Sequence, residues 1–217
     1  MKTFARLGFA LILLAVPGVQ RADPLLTGQM LENLQNEYSD QAFRRGLAIN
    51  RLLSELQDQD IRSQLIEVNR FFNQFEYVED SVQWGENDYW ATPQEFLGTQ
   101  KGDCEDFVIA KYFALRKLGV PDDRLYLTYV KALKQNIAHM VLSYFETPSS
   151  VPLILDNYNP EIVGANARQD LLPVYSFNAK SLFLSNASAG LGKSLPTDKI
   201  KNSKWQDLLA DIKKEIQ

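Results

Sequence analysis

Across 217 residues there is one cysteine and one histidine. A single cysteine cannot close an internal disulfide, so no staple holds this fold. One cysteine and one histidine cannot supply a tetrahedral zinc site unless carboxylates complete it. No glycine-rich phosphate loop and no G-x-S-x-G nucleophile elbow is present, which sets aside those nucleotide-binding and serine-hydrolase designs. Cationic excess is also missing. Lys and Arg number 23 against 27 Asp and Glu, a formal charge of −4, so there is no electrostatic footprint for nucleic acid. Apolar runs stay too short to span a bilayer. Nothing is repetitive, and 45% hydrophobic with 23% charged residues is the composition of a globular chain able to bury a core.

The N-terminus departs from this average. MKTFAR carries two cations, and LGFALILLAVPG follows as an apolar run of about a dozen residues ending at a helix breaker. Residues 1–22 therefore read as a secretory signal peptide, with an uncleaved anchor or a core helix as the plainer alternative. Cleavage after Gly18 places Val16 three positions back, a better fit to the small-residue rule than cleavage after Ala22, which places Gln20 there. No cysteine follows the run to carry a lipid. Removal of Lys2, Arg6 and Arg21 with no acid moves the net charge to about −7. The expectation is an exported protein, periplasmic and without stable membrane insertion once the signal is cut.

The remainder reads as one domain over 23–217, with helices first and strands after, which makes the class α+β. Residues 27–57 are helical, with Met30, Leu31, Leu34, Phe43, Leu47, Leu52 and Leu56 as the apolar positions and Asp40 as the cap of a restart. Ile61, Leu65, Val68, Phe72 and Phe75 share one helical face behind an Asp60 cap. Residues 78–103 form mostly loop. In it, Trp84 and Trp90 either line a substrate cleft or cover the core, and Thr92 caps a short helix begun by Pro93. Residues 104–118 are apolar on most sides and predict a central buried helix closed by Gly119. Strands are expected over 125–130, 138–145, 151–156 and 167–178, joined by linkers short enough to suggest consecutive antiparallel neighbours. Residues 181–199 read as a mobile loop, and 204–216 as a terminal helix.

The chemistry gathers at GDCEDF, residues 102–107. Cys104 heads the buried helix, His139 lies on the second strand and Asp156 ends the third. Pairing of those strands would let Asp156 orient His139, and packing of the helix on the sheet would bring His139 to Cys104. That is what a thiol nucleophile needs: a base, and an acid that holds the base. Free N–H groups at the helix start favour a thiolate and offer an oxyanion site. Asp103, Glu105 and Asp106 oppose it. A Ca²⁺ ion held by these carboxylates would cancel their field. The residues alone leave open a structural thiol, a metal ligand or a nucleophile, and acids at a helix start are also ordinary caps.

The blocks GDCEDF, IAKY, AHMVLSY, LILDN and DLLPVYSFN, in order between Trp84 and Asn178, resemble the bacterial transglutaminase-like cysteine proteinases, specifically the LapG-type periplasmic adhesin proteases. The resemblance implies a papain-like, transglutaminase-type core over 84–178, with the helical part 27–76 before it and the loop and helix of 181–217 after it. It implies Cys104 as nucleophile, His139 as base and Asp156 as orienting acid. It also implies Ca²⁺ beside the cysteine, on Asp103, Glu105 and Asp106. The implied substrate is a large surface adhesin, cut near its N-terminus to release cells from biofilm. The implied regulator is the periplasmic domain of an inner-membrane cyclic di-GMP receptor that sequesters the protease. Two other uses of the same layout stay open: a transglutaminase or amidase with this triad, and a binding module that no longer cuts.

Overall fold

A computed structural model describes residues 24–184, 191–195 and 203–215. The expected signal segment, 1–22, lies outside the described residues, as do 185–190 and 196–199 of the expected loop. No helix among the described residues is long and apolar enough to cross a membrane.

Thr27 opens α1 (Gly28–Asn33), its side chain accepting from the Met30 N–H. A π-type turn over Leu34–Tyr38 leads to Ser39, whose side chain accepts from the Ala42 N–H and caps α2 (Asp40–Leu56). The restart cap is thus Ser39, not Asp40. The buried stripe of α2 also differs from expectation. It runs Ala42, Gly46, Ile49, Leu53 and Leu56, while Leu47 is exposed. Gly46 gives the reason: a Cβ there would lie 2.6 to 2.9 Å from the Leu31, Leu34 and Leu26 side chains. The helix backbone rests directly on those leucines, so the smallest residues turn inward and Leu47 turns out.

Asp60 caps α3 (Ile61–Phe72) by accepting from the Ser63 N–H, and Leu65, Val68 and Phe72 are buried, as their spacing predicts. A two-residue strand, β1 (Glu76–Tyr77), pairs in parallel with β2 (Lys101–Gly102). Between them stand α4 (Asp80–Gln83) and α5 (Pro93–Thr99), the latter opened by a reciprocal Thr92–Glu95 capping box. Helix α6 (Cys104–Lys117) buries ten of its 14 residues. It packs against α3 and α5 on one side and against the sheet on the other. Gly119, at φ 88°, then takes the left-handed position that ends it.

Seven strands form one antiparallel sheet: β3 (Leu125–Ala132), β4 (Ile137–Tyr144), β5 (Leu153–Leu155), β6 (Val163–Gly164), β7 (Leu171–Phe177), β8 (Leu182–Leu184) and β9 (Lys193–Leu195). Their order is β6-β5-β4-β3-β7-β8-β9. β7 therefore does not follow β5 in space but pairs with β3, because β6 has taken the outer edge of β5. The described parts of 181–199 are not loop either. Leu182 and Phe183 pair with Phe177 and Ser176, extending the sheet. Alternation on β4 sends Met140 and Leu142 into the core shared with α6, and Val141 to a smaller cluster with Val130 and Ile154. Helix α7 (Ser203–Glu215) meets α6 through Trp205, stacked on Phe113 at 6.0 Å and edge-on to Tyr112 at 5.5 Å.

Candidate active site

Strand β4 delivers His139 and β5 ends one residue before Asp156. The two side chains meet. His139 Nε2 lies 2.8 Å from Asp156 Oδ1, and both side chains are buried. Three side chains of α3 and its end hold the loop that follows Asp156. Asn73 donates to the Asp156 carbonyl (2.8 Å), Asn69 to that of Pro160 (3.1 Å) and Arg62 to that of Ile162 (2.9 Å). Asp156 Oδ1 also accepts from the Tyr158 N–H at 3.0 Å, and Oδ2 accepts from Arg168 Nη2 at 2.7 Å. Burial alone would raise the Asp156 pKa. The hydrogen bond and charge of His139, helped by the Tyr158 N–H and Arg168, outweigh it and hold the carboxyl below its ordinary value. With Nε2 donating to a carboxylate, the neutral imidazole leaves Nδ1 bare. Nδ1 is buried and has no hydrogen-bond partner among the described residues. The ring lies flat against Tyr158, centroids 4.1 Å apart and planes 1° from parallel.

Cys104 occupies the first turn of α6 and is half-buried. Its thiol donates to Glu105 Oε2 at 3.1 Å. Burial pushes the thiol pKa well up, the charges of Glu105 and Asp103 push it further, and the nearby Met140 backbone N–H works the other way. The sulfur therefore lies beside β4, next to the residue that follows His139. Burial first, and negative charge on the sulfur after it, raise the pKa of Tyr158, the ring that covers the imidazole. In this structure the thiol proton is directed to Glu105, and the Sγ–Nδ1 hydrogen bond is not made. The opposition between the acids and a thiolate, expected from GDCEDF, is what the geometry contains.

The acids form a larger cluster than the three of the motif. Ligand oxygens of Asp80, Asp103 and Asp106 lie within 4.8 Å of one another, as do those of Asp80, Asp88 and Glu105. Asp106 is fully buried, accepting from the Ala91 N–H at 2.8 Å and the Asp103 N–H at 3.3 Å. Asp80 Oδ1 and Asp103 Oδ1 are buried with no hydrogen-bond partner among the described residues. Burial raises Asp103 to about 10, with the hydrogen bond and charge of Glu105 adding to it. Burial raises Glu105 to about 7, with hydrogen bonds from Asp103 and Cys104 opposing and the charge of Asp106 adding. Buried carboxylates with bare oxygens, all hard donors, fit a divalent cation of the calcium type.

Trp84 and Trp90 divide. Trp90 does not line a cleft: it is buried in the core, stacked on Phe177 at 6.1 Å, with Nε1 donating to Asp88. The chain between α4 and α5 is pulled inward by the Ala91–Asp106 bond, and Trp90 goes with it. Trp84 is half-buried against Tyr89, ring centroids 4.7 Å apart. An apolar cavity of about 190 Å³ lies elsewhere, against Thr128, Val141 and Ile154 on the other side of the sheet, and contains none of Cys104, His139 or Asp156.

Four residues that matter here carry no motif: Asp80, Asp88, Tyr158 and Arg168. Asp80 and Asp88 sit in a loop rich in acids, where nothing marks one above another. Tyr158 stands two residues after Asp156, as an Asx-type turn would place it, and that spacing was the available signal.

The family described as bacterial transglutaminase-like cysteine proteinase matches residues 48–169. Among solved structures, Legionella pneumophila LapG is 41% identical, with 87% of this chain and 99% of that chain covered at a TM-score of 0.72. Its calcium-bound form matches at 0.73, with 86% and 99% covered, and its EGTA-treated form at 0.72. No curated protein matches the chain.

Proposed function

The chain belongs to the bacterial transglutaminase-like cysteine proteinases and is a cysteine peptidase, and from that premise we propose a periplasmic, Ca²⁺-dependent endopeptidase that cuts large surface adhesins near their N-terminus. The observation that carries the peptidase chemistry is the buried His139–Asp156 pair with Nδ1 left bare, beside the one thiol of the chain. Kinship with LapG, which has been seen with calcium bound, supports the metal.

Cys104 attacks the scissile carbonyl carbon after His139 Nδ1 takes its proton. A thioester forms, and the proton passes to the departing amine. Water, deprotonated by the same nitrogen, then releases the acid and restores the thiol. Asp156 holds the proton on Nε2 and stabilises the imidazolium. The Cys104 N–H at the start of α6 donates to the oxyanion. Before the first step the thiol must exchange Glu105 for Nδ1. Asp103, Glu105 and Asp106, with Asp80, would hold the ion, whose charge offsets the carboxylates that oppose a thiolate. Release of the adhesin would detach cells from biofilm. Sequestration by the periplasmic domain of an inner-membrane cyclic di-GMP receptor would control it.

The test is incubation of the purified protein with N-terminal adhesin segments, in Ca²⁺ and in EGTA. Cleavage in Ca²⁺ alone is expected; equal cleavage in EGTA removes the ion from the mechanism. Incorporation of an added amine in place of hydrolysis would make the enzyme a transglutaminase.

Stability should follow the same cluster. A carboxyl whose folded pKa is raised binds more protons folded than unfolded. Its contribution therefore falls as pH rises from its ordinary value, 4.5 for Glu105, through its folded value of about 7. The metal-free protein should lose melting temperature between about pH 5 and pH 8. Ca²⁺ at about 100 times its Kd adds about 2.7 kcal/mol, or roughly 5–10 °C in a chain of this size. A melting curve indifferent to both pH and Ca²⁺ would sink this account.

A further inference from the structure

Asp156 has two oxygens and only one of them faces the imidazole. The other belongs to Arg168, whose Nη2 lies 2.7 Å from Asp156 Oδ2. Arg168 is 4% exposed. It is itself fixed by Asp170, with Nε 2.9 Å from Oδ1 and Nη2 2.8 Å from Oδ2. Asp170 is anchored in turn: its carbonyl accepts from the Leu133 N–H at 2.8 Å, beside the turn between β3 and β4. One line of side chains therefore runs from the surface, through Asp170, Arg168 and Asp156, to the ring of His139.

We propose that Arg168 is the positioning residue of the peptidase, holding the Asp156 carboxylate so that Oδ1 stays aimed at His139 Nε2. A carboxylate turns readily about its last torsion when one oxygen is free, and a guanidinium that grips two carboxylates at once prevents the turn. Charge supports the same role. Asp156, Asp170 and Arg168 together carry −1 when the imidazole is neutral and are balanced when it becomes imidazolium, the state reached as the thiol proton arrives. Without Arg168, the buried Asp156 carboxylate loses the guanidinium on Oδ2, and Asp156 itself becomes the better proton acceptor. The other groups facing Asp156 are the Tyr158 N–H and, more distantly, the Lys111 ammonium from α6. Neither touches Oδ2. Arg168 never meets the reacting atoms, so it acts only through Asp156.

This inference rests on the peptidase reading, and the experiment separates the two. Because the chain has one histidine, the ring nitrogens of His139 give an unambiguous ¹⁵N spectrum. In the wild type, Nε2 should be the protonated nitrogen, with a slowly exchanging, far-downfield proton. Arg168→Met should lower kcat by about 10²-fold or more with KM within about twofold, and should lose that proton signal. Arg168→Lys keeps the charge without the fork and should recover about tenfold of the loss. Asp170→Asn, at a half-exposed site, keeps the core intact if Arg168→Met does not fold. It should lower kcat by about three- to tenfold and broaden the same signal. A folded Arg168→Met, or failing that Asp170→Asn, with wild-type kcat and an unchanged Nε2 proton overturns the proposal. If the wild type cleaves nothing, the peptidase reading falls, and the ring spectrum alone decides the role of Arg168.

Discussion

Cys104→Ala removes peptide-bond cleavage, by at least about 10⁴-fold, and leaves the protein folded. The loss is this large because no other group can take over. The chain has no second cysteine, and binding plus an oxyanion site without the nucleophile retains only a small residue of catalysis. The fold should not suffer. The side chain is small and half-buried, and its one hydrogen bond goes to a carboxylate among carboxylates. Cleavage of an adhesin segment followed on a gel, with a thermal melt in parallel, measures both. More than about one percent residual cleavage would move the nucleophile elsewhere. Loss of the melt would make Cys104 a structural thiol.

The second large effect concerns stability. Lys111 is wholly buried in α6, and its Nζ has no hydrogen-bond partner among the described residues. The nearest compensation is the face of Phe107, 5.7 Å from the amine. Burial drags its pKa from 10.5 down to about 7, against a weaker pull from Asp156. A lysine with a lowered folded pKa binds fewer protons folded than unfolded. Its cost is therefore full below about pH 7 and fades as pH rises toward 10.5. Lys111→Met, similar in length and apolar, should stabilise the protein by on the order of 2–4 kcal/mol at neutral pH. The gain should shrink toward pH 10, and urea unfolding at several pH values reads it. A Lys111→Met variant less stable than wild type at pH 6 would show that the amine has a partner worth more than its burial costs.

Local chemistry was the legible part. Asp60 and Thr92 cap helices where their side chains and spacing say they should, and Gly119 ends α6. Those signals act over three or four residues. Apart from the restart cap, which is Ser39 and not Asp40, the misses act over longer distances. The inward face of α2 was set by what Gly46 touches, leucines of α1 and its approach. Strand β7 pairs with β3, not with β5, whose outer edge is occupied by β6. Trp90 turned inward behind a bond from Ala91 to Asp106, across 15 residues. The rest of 181–199 that is described became β8 and β9 because an open edge of β7 was waiting, which no local pattern announces.

From the order of residues alone came the types of group available: one thiol at the head of an apolar helix, one imidazole, one acid after a strand, and a run of carboxylates. Periodicity and capping act between near neighbours, so they are written in the chain itself. Only packing decided which of these groups touch. It joined His139 to Asp156, turned the thiol toward Glu105, drew Asp80 into the acidic cluster and set Arg168 behind the carboxylate. Those contacts depend on strand register and on burial, where a charge must find a partner or shift its protonation, and that is a property of the folded interior.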